Sequence, residues 1–142
     1  MTMRKIQNPF SGYSAKVYSV LRIVAGFLFS CHGAQKILGL WPDPAMMHPM
    51  GSQIWFGGIL ELVLGLLIMV GFFTPFAALL ASGEMAVAYF EFHCRYMFDG
   101  SFFPIANHGE LAVVYCFLFL FIATMGGGKW SLDNSKRGII RK

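Results

Sequence analysis

The sequence predicts an all-α transmembrane four-helix bundle with both termini on the cytoplasmic side, a single domain over residues 1–142, and three observations carry that expectation. The chain is 56% hydrophobic and 16% aromatic but only 13% charged, whereas a soluble domain carries roughly 25% charged residues. Mean hydropathy is correspondingly high, at +0.60. Four apolar runs approach or reach the length that crosses a hydrocarbon core, roughly 20 helical residues for about 30 Å. The basic residues behind the net charge of +4 gather at the two chain ends and form no stripe. They therefore point to the orientation of a membrane protein and away from nucleic acid.

The first run covers about residues 17–38 and follows Arg4, Lys5 and Lys16. A cleaved signal peptide would compete for this stretch, but Arg22 sits inside it and no small-residue cleavage site ends it. The second run, about 54–73, holds Glu61 as its single charge. Thr74 and Pro75 follow at once: a threonine can cap a helix and a proline suits its first turn, so the second and third helices should form a tight antiparallel hairpin. The third run spans about 76–94 and the fourth about 109–126, where Gly126-Gly127-Gly128 ends it. Lys129, Lys136, Arg137, Arg141 and Lys142 come after it, while the longer connections 39–53 and 95–108 contain only Arg95. Positive flanks stay cytoplasmic, so both longer loops are expected outside. Trp41, Trp55 and Trp130 fall near the expected boundaries, as an interfacial belt requires.

Ionisable groups inside a bilayer cost roughly 2.5–3.5 kcal/mol on insertion scales, so each is expected to be paired or functional. Arg22 and Lys36 lie in the first helix, Glu61 in the second, Glu84 and Glu91 in the third and Glu110 at the head of the fourth, with His32, His93 and His108 nearby. Helical spacing puts Arg22, Gly26, Phe29, Gly33 and Lys36 on one face, Gly57, Glu61 and Gly65 on another, and Ala81, Glu84, Ala88 and Glu91 on a third. These seams should turn inward. From the rise per residue, Arg22 sits roughly 8 Å and Glu84 about 12 Å from the cytoplasmic end, close enough in depth to bridge. The other groups fall near the outer end, where His32, Lys36, Glu61, His108 and Glu110 are expected to build an outward-facing polar pocket. Four carboxylates face only Arg22 and Lys36 there, so the cluster must hold a proton that it would release in water.

The order Arg22, Gly26, His32-Gly33-x-x-Lys36, then Gly58, Glu61, Gly65, Gly71 and Thr74, then Asn107, Gly109-Glu110, Ala112 and Tyr115, and finally Gly126-x-Gly128-Lys-Trp-Ser-Leu-Asp133 resembles the DoxX family of small four-helix membrane proteins. The similarity runs from about Val20 to Asp133; residues 41–50 and 93–103 do not align with it. The resemblance implies a membrane component of a redox system in the bacterial inner membrane, handing electrons to quinone, or an anchor for a soluble redox partner. Reducing a quinone needs an apolar slot and proton donors. Glu61, His32 and Glu110 would serve as the catalytic groups, with Lys36, His108, Arg22 and Glu84 binding ligand.

Other chemistries are weaker fits. Haem would need two axial histidines on facing helices, yet none of His32, His93 and His108 lies deep enough to centre a macrocycle. Met46-Met47-His48-Pro49-Met50 has the soft ligands that copper favours, although methionines near a membrane surface are more often apolar contacts. Cys31 and Cys94 can meet as a disulfide in an oxidising compartment or face apart, and Cys116 reads as an apolar filler. Two rivals to the redox reading are a non-catalytic docking or assembly partner and a small proton-coupled transporter, which four helices can build only as a homo-oligomer. The tail from Trp130 to Asp133 should turn back onto the cytoplasmic surface, leaving a basic end for anionic lipid.

Overall fold

A 3-10 turn at Ser11–Tyr13 leads into α1, Ser14–Leu38. The helix stops where Gly39 takes a left-handed conformation (φ 64°) and its amide donates to Gln35 O at 3.2 Å. The computed structural model describes residues 9–41 and 48–135; Arg4, Lys5, Met46, Met47, Lys136, Arg137, Arg141 and Lys142, which the sequence reading used for orientation, metal and lipid contacts, lie outside these. Helix α2, Gln53–Val70, starts on Ser52, whose hydroxyl accepts the Trp55 amide at 3.2 Å. It ends three residues before the apolar run does, because Gly71 (φ 72°) closes it. The Gly71 amide reaches Ile68 O and the Phe72 amide reaches Leu67 O, the paired bonds of a Schellman ending.

Helix α3, Thr74–Ala88, carries Pro75 in its first turn and continues into a π turn, Tyr89–His93. The connection that follows contains a 3-10 turn at Gly100–Phe102 and the short α4, Pro104–Asn107. Its Asp99 carboxylate accepts from the Ser101 amide and hydroxyl, which hold that carboxyl below its ordinary value. Helix α5 is Glu110–Met125. The stretches Ser11–Leu38 and Gln53–Val70 are long and apolar enough to cross a membrane, and α5 is a shorter apolar helix.

The long helices pack in a ring. α1 lies along α2, α2 turns tightly into α3, and α3 lies along α5. Aromatic contacts of Phe29 with Tyr115 and Phe119, at centroid distances of 5.7 and 4.7 Å, close α5 onto α1. α1 and α2 are almost in backbone contact: a Cβ on Gly26 would lie 2.5 Å from Met69 N, one on Gly33 2.3 Å from Leu62 N, and one on Gly65 2.5 Å from Ser30 N. This is small-residue packing, in which van der Waals contact replaces a hydrophobic driving force that lipid does not supply.

The helix surfaces are more apolar than those of a soluble protein, and a few polar groups lie inside the apolar core. Arg22, Ser19, Glu61 and Thr74 are buried. Leu21, Val24 and Leu28 on α1, Leu60 and Val63 on α2, Leu79 and Leu80 on α3, and Val114 and Phe117 on α5 are exposed. An apolar girdle around an interior that mixes an apolar core with a few buried polar groups suits lipid on the outside.

The end of the bundle where α1 begins is tied together by the segment after α5. The Asp133 carboxylate accepts the Phe73 amide at 2.9 Å, the Thr74 amide at 2.9 Å and the Thr74 hydroxyl at 2.7 Å, while the Asp133 amide donates to Gly71 O at 2.9 Å. Thr74 is thus the first residue of α3 and not its cap; Asp133, far along the chain, caps the helix. The tail does turn back, onto the α2–α3 turn. Asp133→Ala leaves those donors unpaired and should cost about 1–2 kcal/mol, the loss of a helix cap. Thermal unfolding in detergent checks this, with Asp133→Asn expected to keep part of the loss from appearing.

Candidate functional site in the α2–α3 groove

Seven positions separate Gly26 from Gly33 on α1 and Gly58 from Gly65 on α2, and the close approach of these faces fixes what stands beside them. One turn beyond Gly33, Lys36 reaches across to α2, and its Nζ lies 2.6 Å from Glu61 Oε1. The two side chains are 17% and 5% exposed, so the pair is largely desolvated and its geometry is held by the helices. A buried pair is weak evidence of stabilisation, since desolvation offsets much of the attraction. Its presence in a lipid-facing bundle calls for another explanation.

Glu84 joins the pair from α3. Its Oε1 lies against Gly57, where a Cβ would stand 3.4 Å away. Adjacent glycines on α2 thus do different things: Gly58 admits Lys36 and Ile37 of α1, and Gly57 makes room for Glu84 of α3. Both Glu61 Oε2 and Glu84 Oε2 are buried without a hydrogen-bond partner. Such orphans are uncommon in native interiors and mark places where a ligand, water or proton belongs.

All three groups line a groove of about 690 Å³ between α2 and α3, within the several-hundred Å³ range of small-molecule sites. Its rim residues Phe56, Leu60, Leu79, Leu80 and Val87 are exposed on the apolar girdle, so the groove opens sideways, toward lipid. His48 and His93 complete the lining at the loop end. The ring of His93 is anchored through Nδ1, 3.1 Å from Asn107 O. Because a carbonyl only accepts, Nδ1 carries the proton and Nε2 is left free to exchange one. His93 belongs to the π turn, a rare conformation that recurs beside functional sites.

A larger cleft of about 810 Å³ lies at the opposite end, along Tyr18, Gly126–Gly128 and Asp133. There Tyr18 Oη donates to Gly126 O at 2.5 Å and Asp133 caps α3. Its polar groups are engaged in holding the fold, and the α2–α3 groove is the better candidate.

The expected residues are therefore divided. Lys36, Glu61 and Glu84 come together. His32 is half-buried on α1 without lining the groove, and His108 and Glu110 are exposed at the start of α5 and also stand outside it. Glu110 instead occupies the first turn of α5, where a carboxylate complements the helix dipole.

The expected Arg22–Glu84 bridge does not form. Arg22 is fully buried at the other end, where Nη1 donates to Ile68 O at 2.5 Å and Met69 O at 2.7 Å, and Nη2 donates to Trp130 O. Carbonyls at the C-terminus of α2 carry the negative end of the helix dipole and compete successfully for the guanidinium. Cys31 and Cys94 are both free. Sequence reasoning read His48 only as a soft metal ligand in an unaligned loop, and it paired Glu84 by depth with Arg22, which is not its partner.

Fold and groove together define a small helical membrane protein with a cluster of ionisable side chains buried in a groove that opens on its apolar girdle. The DoxX family model matches residues 17–94, and the chain belongs to the DoxX family. It is similar to an uncharacterized protein of Haemophilus influenzae, 38% identical over 132 residues that cover 89% of this chain and 96% of the relative. No solved structure matches the chain. The matched region contains Arg22, Lys36, Glu61, Glu84 and His93 and ends before Glu110 and the glycine tail.

Proposed function

We propose that the protein is a multi-pass component of a redox system in the bacterial inner membrane, with its loop end outward, and that the α2–α3 groove binds a membrane-soluble quinone. The single observation that carries this reading is the meeting of Lys36, Glu61 and Glu84, two orphaned carboxylate oxygens among them, inside a groove whose mouth is on the apolar girdle. A ligand that arrives from water would not need such a mouth, whereas one dissolved in the bilayer would.

The lining fits the chemistry of the group. Phe56, Leu60, Leu79 and Leu80 offer apolar walls to a ring, and Lys36 supplies a charged donor to a carbonyl oxygen. A quinone supplies two-electron redox chemistry; the chain supplies orientation, exclusion of water and proton-bearing groups at the carbonyl. Glu61 holds Lys36 in place through the 2.6 Å contact. His93 and His48 line the loop end of the groove, and in this reading they pass protons between it and the aqueous phase.

The test is titration of the purified protein in detergent with a short-chain benzoquinone, read by quenching of tryptophan fluorescence. Glu61→Gln releases Lys36 and should weaken binding at least tenfold, as should Lys36→Met. His32→Gln and Glu110→Gln, which replace residues outside the groove, should leave it unchanged. Binding indifferent to both groove substitutions would remove quinone from this site.

A further inference from the structure

The groove holds two carboxyl groups, Glu61 and Glu84, and one lysine, Lys36. Lining the groove with Glu84 are Lys36 from α1, Glu61 from α2, His48 from the loop between them and His93 from the π turn. Tyr115 of α5 and Cys31 of α1 stand behind Glu61 within electrostatic reach of one another. Lys36 pairs with Glu61 Oε1, and Glu84 forms no ion pair among the described residues.

An ionised carboxylate only accepts hydrogen bonds, while a carboxylic acid donates one. A quinone carbonyl also only accepts. An ionised Glu84 thus faces a carbonyl with no hydrogen between them, and the two oxygens repel. A protonated Glu84 turns the same contact into a bond. A hydroquinone reverses the requirement, because its hydroxyl donates and an ionised carboxylate receives it.

We propose that Glu84 is the proton-linked residue of the groove: an acceptor-only quinone ring binds together with one proton on Glu84, and a hydroquinone binds with that proton released. This rests on the quinone reading of the groove and adds the group that distinguishes oxidised from reduced ligand.

Linkage fixes the signature. A ligand that takes up one proton on binding loses affinity about tenfold per pH unit once that proton must be drawn from solution. Titration of wild-type protein with a short-chain benzoquinone across the neutral and alkaline range should show this slope, and the corresponding hydroquinone, kept under argon, should instead gain affinity as pH rises until Glu84 is ionised in the free protein. In Glu84→Gln the amide still donates but cannot ionise, so quinone should bind with an affinity flat in pH. His48→Gln and His93→Gln should keep the slope. If Glu84→Gln does not fold, Glu84→Asp supplies the test, because it should retain the slope and shift its midpoint. A slope that survives in Glu84→Gln, a midpoint unmoved in Glu84→Asp, or a slope that disappears in either histidine variant overturns the proposal. Quinone bound by wild type with flat pH dependence overturns it while sparing the groove reading; no binding at any pH overturns both.

Discussion

Gly33→Val should unfold the bundle's first helix pair and cost more than about 3 kcal/mol, the upper end of what overpacking does in a close-packed interior. The reason is what the new side chain meets. A Cβ at Gly33 lies 2.3 Å from Leu62 N and 2.5 Å from Gly58 O. Both are backbone atoms of α2, and no rotamer change can clear them. The helices would have to part by on the order of 1 Å to restore ordinary van der Waals distance. Separation is not local, because Gly26 and Gly65 form a second point of backbone approach two turns away on the same pair of helices. It is not functionally silent either. Lys36 lies one turn from Gly33 and Glu61 is next to Leu62, so parting the helices lengthens the 2.6 Å ion pair. Thermal unfolding in detergent should fall steeply for Gly33→Val and less for Gly33→Ala, which adds the Cβ alone. Gly83→Ala is the control: that glycine is exposed in α3 with nothing near its Cβ position, and helix propensity favours alanine there by roughly 0.5–1 kcal/mol. Equal midpoints for Gly33→Val and wild type would mean that α1 and α2 are not in backbone contact.

The features legible in the sequence are those that depend on period and length. Four apolar runs mark the four long helices, two of them long and apolar enough to cross a membrane, and Arg22, Gly26, Phe29, Gly33 and Lys36 share one face because helical spacing alone does that. Lys36 and Glu61 were placed in one pocket by depth. What spacing does not contain is the rotation of one helix against the next. Gly57 and Gly58 are neighbours in sequence, yet about 100° of helical turn separates them and sends one toward Glu84 and the other toward Lys36. Backbone partners are equally invisible to a count of charges. Arg22 was matched with a carboxylate because carboxylates can be counted, while Ile68 O, Met69 O and Trp130 O are present in every sequence and distinguished by none. The loops are the third gap. His48, His93 and His108 lie at one end of the bundle, and only the π turn and the fold of residues 95–108 determine that His93 faces the groove and His108 the solvent.

Arg22→Met should be the most damaging substitution of a charged side chain, costing about 3–5 kcal/mol, the penalty for breaking a buried charged network on one side. The side chain is 0% exposed, and three carbonyls from two segments converge on it. Ile68 O retains the Gly71 amide at 3.1 Å, so the groups orphaned by the substitution are Met69 O and Trp130 O. The neighbouring Asp133 also loses the positive charge that it faces, while still capping α3. The damage should therefore spread from α1 to the α2–α3 turn and the tail, elements joined by the guanidinium and not by sequence. Arg22→Lys separates charge from shape. A lysine keeps the charge but is a compact point donor, and it lacks the planar fork that reaches α2 with one nitrogen and the tail with the other. It should recover only part of the stability, and hydrogen exchange should show residues 130–135 opening in both variants while the Lys36–Glu61 end stays protected. Full recovery in Arg22→Lys would mean that the site reads charge alone. Uniform loss of protection along all helices would mean that the tail is not tied down through Arg22.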